Sequence, residues 1–270
     1  MTKRIKVVAC TGEENTAKYQ IPPEIISPGF TVDFETTRFP VWPDNYVDYR
    51  LVQLSILDVA LSAEREGFDA VFVCDSTDLG LAEVRSALSI PVVGGGQATL
   101  QVGLALGRRL GIVTVWPRDV RFWYDDMLRE YEMSDKLAGV RHITRFDELQ
   151  TLGSDESWLK RMWNHQDDFL ARVEEQCRLV IDEDGADVVM FGCTCMAAIR
   201  DAMQGRLEVP LLSPVHTGYQ LTELLVRLGL RHSKKTFGQM GPVTRSMIHP
   251  MIEEAASRQT IMEFAPAGGD

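Results

Sequence analysis

The sequence has little that would bind a polyanion or cross a membrane. Its 28 lysines and arginines are outnumbered by 39 aspartates and glutamates, the formal net charge is −11, and no basic cluster stands out. Nucleic acid is therefore not expected as a partner, because phosphate contacts need clustered positive charge. No run of about 18 apolar residues could span a bilayer, and the apolar stretch in MTKRIKVVAC is too short for a signal peptide. These absences predict a cytoplasmic protein without a membrane partner.

Cysteine is also sparse, with five residues at positions 10, 74, 177, 193 and 195. An odd, small number in a reducing compartment argues against a disulfide framework. The segment FGCTCM, residues 191–196, nevertheless places Cys193 and Cys195 one residue apart. The pair could be metal ligands, a redox couple, one nucleophile with a bystander, or two packed thiols. Zinc is disfavoured, because C-x-C lacks the usual C-x2-C spacing and no nearby histidine completes a ligand set. Cys177 falls within a helical pattern and is predicted to be core.

The composition is that of a globular protein, with 45% hydrophobic and 25% charged residues. Strand-like runs cover 5–10, 70–74, 90–94, 111–116, 186–193 and 209–214. Helical spacing covers 48–66, 97–109, 119–132, 156–183 and 218–228. Alternating apolar strands and helices predict an α/β fold with parallel sheets. The proline-rich stretch 11–47 is predicted to be a long loop of the kind that often forms a lid.

An internal repeat relates residues 68–111 to residues 186–229. In each copy a strand ends in cysteine, and a proline that opens the next strand follows seventeen residues later: Cys74 to Pro91, and Cys193 to Pro210. The repeat predicts two similar α/β halves. It also pairs Cys193 with Cys74 and leaves Cys195 outside the pattern.

Two thiols at equivalent strand ends suit acid–base chemistry. Functional crevices of open α/β sheets lie beyond the carboxyl ends of the strands, so the two halves could present Cys74 and Cys193 to one cleft. A thiol close to a helix N-terminus is expected to have a lowered pKa. One thiolate could then remove a proton from a carbon acid while the other thiol returns one to the opposite face. The simpler alternative is two buried, packed thiols. Donors for a developing oxyanion are expected in the loops after these strands, at Ser76, Thr77, Gly94, Gly95, Gly96, Gln97 and Thr194.

Three stretches of the sequence resemble the aspartate/glutamate/hydantoin racemase superfamily, and within it most closely the hydantoin and allantoin racemases. They are GADVVMFGCTCM, VFVCDSTDLGL and GIVTVWPRDV. The resemblance places Cys74 and Cys193 at the two catalytic positions and Cys195 where a glycine is usual. It implies two α/β domains related by pseudo-twofold symmetry, with the active site in the cleft between them. The expected first domain is 1–96 plus about 215–270, and the second is 97–214.

The resemblance further implies that no cofactor or metal is needed, that the substrate is a small molecule, and that the protein is a homo-oligomer, a dimer or larger. The loops depart from the family pattern: Cys10-Thr11-Gly12-Glu13 replaces a usual Asn-Pro-Asn-Ser/Thr, and Ser213-Pro214 replaces Asp-Gly. Gln97 stands near the position of a usual glutamate. These departures concern the substrate. The candidate substrate-binding residues are Cys10, Thr11, Asp75, Ser76, Thr77, Gly95, Gly96, Gln97, Arg118, Thr194, Cys195, Pro214 and His216.

The expected function is that of a cofactor-independent, two-cysteine racemase or epimerase acting on a hydantoin-like ring or an amino-acid derivative. The main alternative keeps the fold and uses one cysteine for hydrolysis, desulfurisation, isomerisation or decarboxylation of a related small molecule. A third possibility is a non-enzymatic small-molecule or metal-binding protein.

Overall fold

Two parallel β-sheets form the framework of the protein. The computed structural model describes residues 2–9, 21–38, 42–152, 154 and 157–257. Within them, the first sheet has the order β2-β1-β3-β4 and the second has the order β6-β5-β7-β8, and every neighbouring pair is parallel. The strands are β1 Lys3–Ala9, β2 Phe30–Thr36, β3 Ala70–Val73, β4 Val92–Gly94, β5 Leu110–Thr114, β6 Leu137–His142, β7 Val188–Phe191 and β8 Leu211–Leu212.

The α-helices of the described residues lie around these sheets. They are α1 Tyr46–Ala60, α2 Leu81–Ala87, α3 Gly95–Leu106, α4 Phe122–Glu130, α5 Trp158–Trp163, α6 Asp167–Asp182, α7 Arg200–Gln204, α8 Pro214–Leu228, α9 Lys234–Phe237 and α10 Pro242–Ser257. Short 3-10 helices span Pro23–Ile25, Arg118–Val120, Ser134–Lys136, Phe146–Thr151 and Thr194–Ile199. The predicted α/β fold with two parallel sheets is confirmed.

The two sheets have the same strand order, so the internal repeat is larger than the sequence indicated. The repeated stretches 68–111 and 186–229 contain β3 and β4 in one half and β7 and β8 in the other. The structure adds β1 and β2 to the first half and β5 and β6 to the second. The central strands β3 and β7 are fully buried and rich in valine, as expected for strands covered on both faces.

Two predictions of secondary structure were wrong, and two elements were missed. The stretch 11–47 is not simply a loop, because it contains β2 and the first residues of α1. The continuous helix expected over 156–183 is broken into α5 and α6, with His165 between them at a φ of 52°. Strand β6 and helix α10 were not predicted at all.

Helix α3 follows the last strand of the first sheet, yet it packs on the second sheet. Its Leu100 belongs to a buried apolar cluster with Leu110, Ile112 and Val188. A side chain at Gly103 would collide with Leu110, because a Cβ there would lie 2.5 Å from a Leu110 methyl carbon. The close approach of α3 to the second sheet therefore depends on glycine.

Helix α8 makes the reciprocal exchange, since it follows the second sheet and packs on the first. Its Val215 and Tyr219 are buried with Ile5 and Phe72, and the Tyr219 and Phe72 rings are 6.5 Å apart. In each half, the helix that follows the last strand of the sheet therefore packs into the core of the other half. The predicted domain boundaries, 1–96 with about 215–270 and 97–214, stay a prediction.

Candidate active site

Both candidate cysteines lie at the carboxyl ends of central strands. Cys74 immediately follows β3, and its amide continues the sheet by donating to Val8 O at 2.8 Å. In the second half the equivalent bond, 2.7 Å long, joins Gly192 N to Val113 O. Cys193 therefore lies one residue farther beyond its strand than Cys74 does. The two cysteines occupy similar positions but do not have identical backbone surroundings.

The two strand ends meet. The Ser76 hydroxyl donates to Gly192 O at 2.5 Å. The Thr194 side chain lies close enough to the Cys74 thiol to act on it and lower its pKa, so a residue adjoining Cys193 is near the other candidate thiol. This junction brings the segments 74–76 and 192–194 together at one place between the sheets.

Gly192 permits this close approach. A Cβ at this position would lie 2.6 Å from Thr114 Cβ and 3.0 Å from Tyr124 Oη, which is too close for any other residue without movement of the neighbours. Tyr124 Oη is 2.7 Å from both Gly192 O and Thr114 Oγ1. A buried tyrosine and a glycine together fix the backbone that carries Cys193.

The Cys74 thiol is deeply buried. Only 2% of the residue is exposed, and burial, together with the nearby Asp75 carboxylate, raises the pKa of Cys74 to about 12. The nearby Thr194 side chain acts in the opposite direction and lowers the pKa. The expected lowering of the pKa by a helix N-terminus was therefore wrong for Cys74, since α2 begins only at Leu81. Cys74 is a neutral thiol at physiological pH.

Cys193 and Cys195 form a disulfide, with Cα atoms 5.3 Å apart. Cys193 occupies the N-cap of the 3-10 helix Thr194–Ile199, where its Sγ accepts the Cys195 amide N–H at 3.2 Å. Both residues are buried, at 5% and 1% exposure. The sequence argued against a disulfide framework. Among the described cysteines, Cys74 and Cys177 are indeed free thiols. The local 193–195 pair departs from that expectation because the helical turn after Cys193 brings the two side chains together.

Asp78 holds the first turn of α3. Its carboxylate accepts the amides of Gly96 at 2.8 Å and Gln97 at 2.5 Å, together with the Tyr131 hydroxyl at 2.8 Å. Burial raises the pKa of Asp78 to about 6, although the three donors oppose this shift. The Gly96 and Gln97 amides, expected as oxyanion donors, are thus engaged within the protein in this structure.

Other candidate residues lie at or near the same junction. Thr77 donates its amide and its hydroxyl to Asp75 Oδ1, both at 2.7 Å. Pro214 begins α8 and abuts Gly95, where a Cβ would lie 3.1 Å from Pro214 Cβ and 2.7 Å from Asp75 O. These contacts place Gly95 and Pro214 beside the segment that carries Cys74.

Two further polar candidates, His216 and Arg118, lie on helices that follow β8 and β5. His216 lies in the first turn of α8, where burial, and next the positive charge of Arg200, lower its pKa. Its Nδ1 is buried and has no hydrogen-bond partner among the described residues. Arg118 is exposed on the 3-10 helix that follows β5. No contact of either side chain with Cys74 or Cys193 is observed within the described part of the chain.

Cys10 and Thr11 lie outside the described residues. Cys177 is buried in α6, as predicted. The sequence did not single out Asp78 or Tyr124, although Asp78 is part of the quoted motif CDSTD and its left-handed φ of 59° marks a tight turn. Tyr124 had no such signal, because only the fold brings α4 to Gly192.

In the portion of the chain that the structure describes, no group of three or more His, Cys, Asp or Glu side chains could hold a metal ion. Over the same residues, none of the helices has the length and apolar character needed to cross a membrane.

Comparisons with known proteins agree with the geometry. The model of the Asp/Glu/Hydantoin racemase family matches residues 19–222, about three quarters of the chain. The hydantoin racemase of Pseudomonas sp. (strain NS671) is 26% identical over 199 residues, which cover 73% of this chain and 75% of that protein. The hydantoin racemase of Paenarthrobacter aurescens is 27% identical over 201 residues, with 73% and 79% covered.

A solved structure shares the fold. The allantoin racemase from Klebsiella pneumoniae superposes with a TM-score of 0.76 at 22% identity and covers 89% of this chain and 94% of its own. At this identity the likeness concerns the fold alone, while the family match extends over seven of the eight strands, all but β1, and over both cysteine segments. The chain therefore belongs to the Asp/Glu/hydantoin racemase family.

Proposed function

We propose that the protein is a cofactor-independent racemase of a hydantoin-like ring or a related amino-acid derivative, with Cys74 and Cys193 as its two acid–base groups. The observation that carries the proposal is the junction of the two strand ends. Ser76, two residues after Cys74, donates its hydroxyl to Gly192 O at 2.5 Å, and Gly192 directly precedes Cys193. A small ring between the two sulfurs would have one thiol on each face.

The proposed reaction moves one proton on each face of the ring. The Cys193 thiolate removes the proton from the stereogenic carbon, and the electron pair left behind is delocalised onto the adjacent ring carbonyl as an enolate. The Cys74 thiol then donates its proton to the opposite face, which inverts the centre. Carbonyl delocalisation makes such a ring a stronger carbon acid than an amino acid with a free carboxylate, so no electron sink from a cofactor is part of the proposal.

The unequal surroundings of the two thiols suggest which one is charged in the resting enzyme. Cys74 is buried and its pKa is raised to about 12, which suits a proton donor. Cys193 lies at a helix start and its Sγ accepts a backbone N–H, which favours a thiolate once the residue is reduced. In the reverse direction the roles exchange, because each turnover leaves the proton on the other sulfur.

Ring substrates are favoured by the two relatives named hydantoin racemase. A cytoplasmic address and a homo-oligomer, dimer or larger, belong to the same proposal. Light scattering after size-exclusion chromatography tests the oligomer, and a monomeric mass at working concentration would contradict it.

A second candidate uses a single thiol. In the described residues Cys193 is bonded to Cys195, which leaves Cys74 as the free thiol at the junction. One cysteine could serve decarboxylation or hydrolysis of a related acid, as a proton donor or as a nucleophile.

Turnover in deuterium oxide separates the two candidates. Reduced protein is incubated with single enantiomers of several 5-substituted hydantoins and of the matching N-carbamoyl amino acids. A racemase is expected to abolish optical rotation, incorporate one deuterium at the stereogenic carbon and form no product of new composition. A decarboxylated or hydrolysed product without racemisation would overturn the proposal in favour of the single-thiol candidate.

A further inference from the structure

Cys195 is held against Cys193 from two directions. Its amide donates to Cys193 Sγ at 3.2 Å, and its carbonyl accepts the Trp163 indole N–H at 3.3 Å. The Cα separation of 5.3 Å falls within the usual range for disulfides, about 4.4–6.8 Å. The Cα separation therefore suits a bond between the two sulfurs.

We propose that Cys193 and Cys195 form a reversible oxidation site, in which hydroperoxides close the disulfide and dithiol reductants open it, so that oxidation switches the enzyme off. Cys195 is the resolving thiol of this pair. The inference rests on the proposed function in one respect, since Cys193 must be one of the two acid–base groups for its oxidation to stop turnover.

The oxidation proceeds in two balanced steps. The Cys193 thiolate attacks one peroxide oxygen, an S–O bond forms, the O–O bond breaks, and the leaving oxygen takes a proton as water or alcohol. Cys193 is then a sulfenic acid. The Cys195 sulfur attacks the Cys193 sulfur, the S–S bond forms and the S–O bond breaks. The departing hydroxide takes the Cys195 proton and leaves as water. Two thiols have supplied the two electrons that reduce one peroxide.

Reduction reverses this state by thiol–disulfide exchange. One thiolate of a dithiol attacks a sulfur of the pair and forms a mixed disulfide, and the second thiolate displaces the protein thiol. The protein regains two thiols, and the reductant becomes a cyclic or internal disulfide. Closing the disulfide also protects Cys193, because a trapped sulfenic acid cannot proceed to the irreversible sulfinic acid.

The surroundings direct oxidation to Cys193 rather than to Cys74. Peroxides react with thiolates, and burial keeps Cys74 a neutral thiol. Cys193 lies at the start of a 3-10 helix, where its sulfur accepts an amide hydrogen.

The test uses the full-length protein in fully reduced form, freed of reductant and then exposed to one equivalent of hydrogen peroxide. Disulfide formation is measured by mass spectrometry of the peptide that carries both cysteines, which loses two hydrogens. Racemisation is measured on the same samples. The wild type is expected to lose about tenfold or more of its rate and to recover most of it after treatment with dithiothreitol.

Cys195→Ser is the informative variant, and each variant is compared with its own untreated rate. This variant is expected to form no 193–195 disulfide, and its peroxide-treated form should not recover with dithiothreitol, because sulfinic acid accumulates at position 193. Cys177→Ala is the matched control, since it removes a buried cysteine of α6 and should respond to peroxide as the wild type does.

The outcomes separate this inference from the proposed function. An active reduced enzyme that never forms the 193–195 disulfide overturns the oxidation site and leaves the racemase standing. If the 193–195 disulfide forms and opens but the fully reduced protein has no racemase activity, the oxidation site is supported and the proposed function is overturned. Full turnover with the disulfide closed overturns both the switch and the role of Cys193.

Discussion

Ser76 and Gly192 connect the two halves of the protein at the position where the candidate thiols meet. The Ser76 hydroxyl donates to Gly192 O across 2.5 Å, and both residues are buried. Ser76 lies two residues after Cys74, and Gly192 immediately precedes Cys193. One hydrogen bond thus fixes the relative position of the backbone segments that carry the two sulfurs.

Removing this hydrogen bond should affect activity more than stability. Ser76→Ala is expected to cost about 1 kcal/mol of unfolding free energy, because Gly192 O keeps its bond from Tyr124. The rate of racemisation should fall by about tenfold or more, since small shifts of reacting groups are costly. Thermal unfolding and kcat are the measurements. Ser246→Ala, which removes an exposed hydroxyl bonded to Val243 O, is the control, and an equal loss of rate there would contradict the prediction.

Adding a methyl group at Gly192 should displace the backbone that carries Cys193 and so lower both stability and kcat. In Gly192→Ala the new Cβ would meet Thr114 Cβ at 2.6 Å, which forces the segment before Cys193 to move. We expect a loss of about 1–3 kcal/mol in unfolding free energy and a large loss of kcat. Gly205→Ala is the matched control, because a Cβ there meets nothing within 4 Å. Retained kcat in Gly192→Ala would show that this close packing is not needed for turnover.

Replacing Cys74 or Cys193 should greatly slow racemisation but leave hydrogen exchange on one enantiomer, a different one in each variant. Cys74→Ser and Cys193→Ser are each expected to lower racemisation by about 10²–10⁴-fold, because a serine hydroxyl is a poor acid–base group. Each variant keeps one thiol, so each should still exchange the hydrogen of one enantiomer with deuterium oxide, and the two variants should act on opposite enantiomers. Exchange of the same enantiomer by both would contradict the placement of the thiols on opposite faces. Cys177→Ala should exchange and invert as the wild type does.

Asp78 should make stability depend on pH in an unusual direction. Its folded-state pKa of about 6 lies above the ordinary aspartate pKa of 3.8, so the folded protein binds this proton more readily than the unfolded chain. The resulting stabilisation is present at low pH and is lost as the pH rises through about 6. The unfolding free energy of the wild type minus that of Asp78→Asn should therefore fall between about pH 4 and pH 7. Denaturant titrations over this range measure it.

Asp147→Asn gives the control of opposite sign. A hydrogen bond from the Arg145 guanidinium lowers the pKa of Asp147, so the contribution of Asp147 to stability appears as the pH rises. A difference between wild type and Asp78→Asn that rises with pH, as expected for Asp147, would mean that Asp78 is not held in a desolvated site.

The sequence predicted the parts of the fold that have strong local signals. Buried strands such as β3 and β7 are continuous apolar runs, and the repeat around Cys74 and Cys193 indicated two similar halves. Strand β6 was missed because LAGVRH has a weak apolar pattern and only one residue of the strand is buried. The break between α5 and α6 was missed because the helical spacing of apolar residues continues across His165.

The candidate site was predicted less completely, because its contacts join residues far apart in the chain. Ser76 was singled out, but its partner, a backbone carbonyl 116 residues away, carries no side-chain signal. The raised pKa of Cys74 follows from burial in the assembled core, which a sequence pattern near a predicted helix start does not reveal. The pairing of Cys193 with Cys195 depends on the 3-10 turn between them, whereas the repeat directed attention to Cys74.

The exchange of α3 and α8 between the sheets also determines how the chain must fold. Leu100 belongs to the apolar cluster on one face of the second sheet and Tyr219 to the cluster on one face of the first, so each of these two clusters is complete only when both halves are present. Isolated halves cut near residue 107 would each lack a covering helix and expose a buried sheet face to water. Folding is therefore expected to be a single cooperative event that waits for α8, and the two cysteine segments come together in that same event.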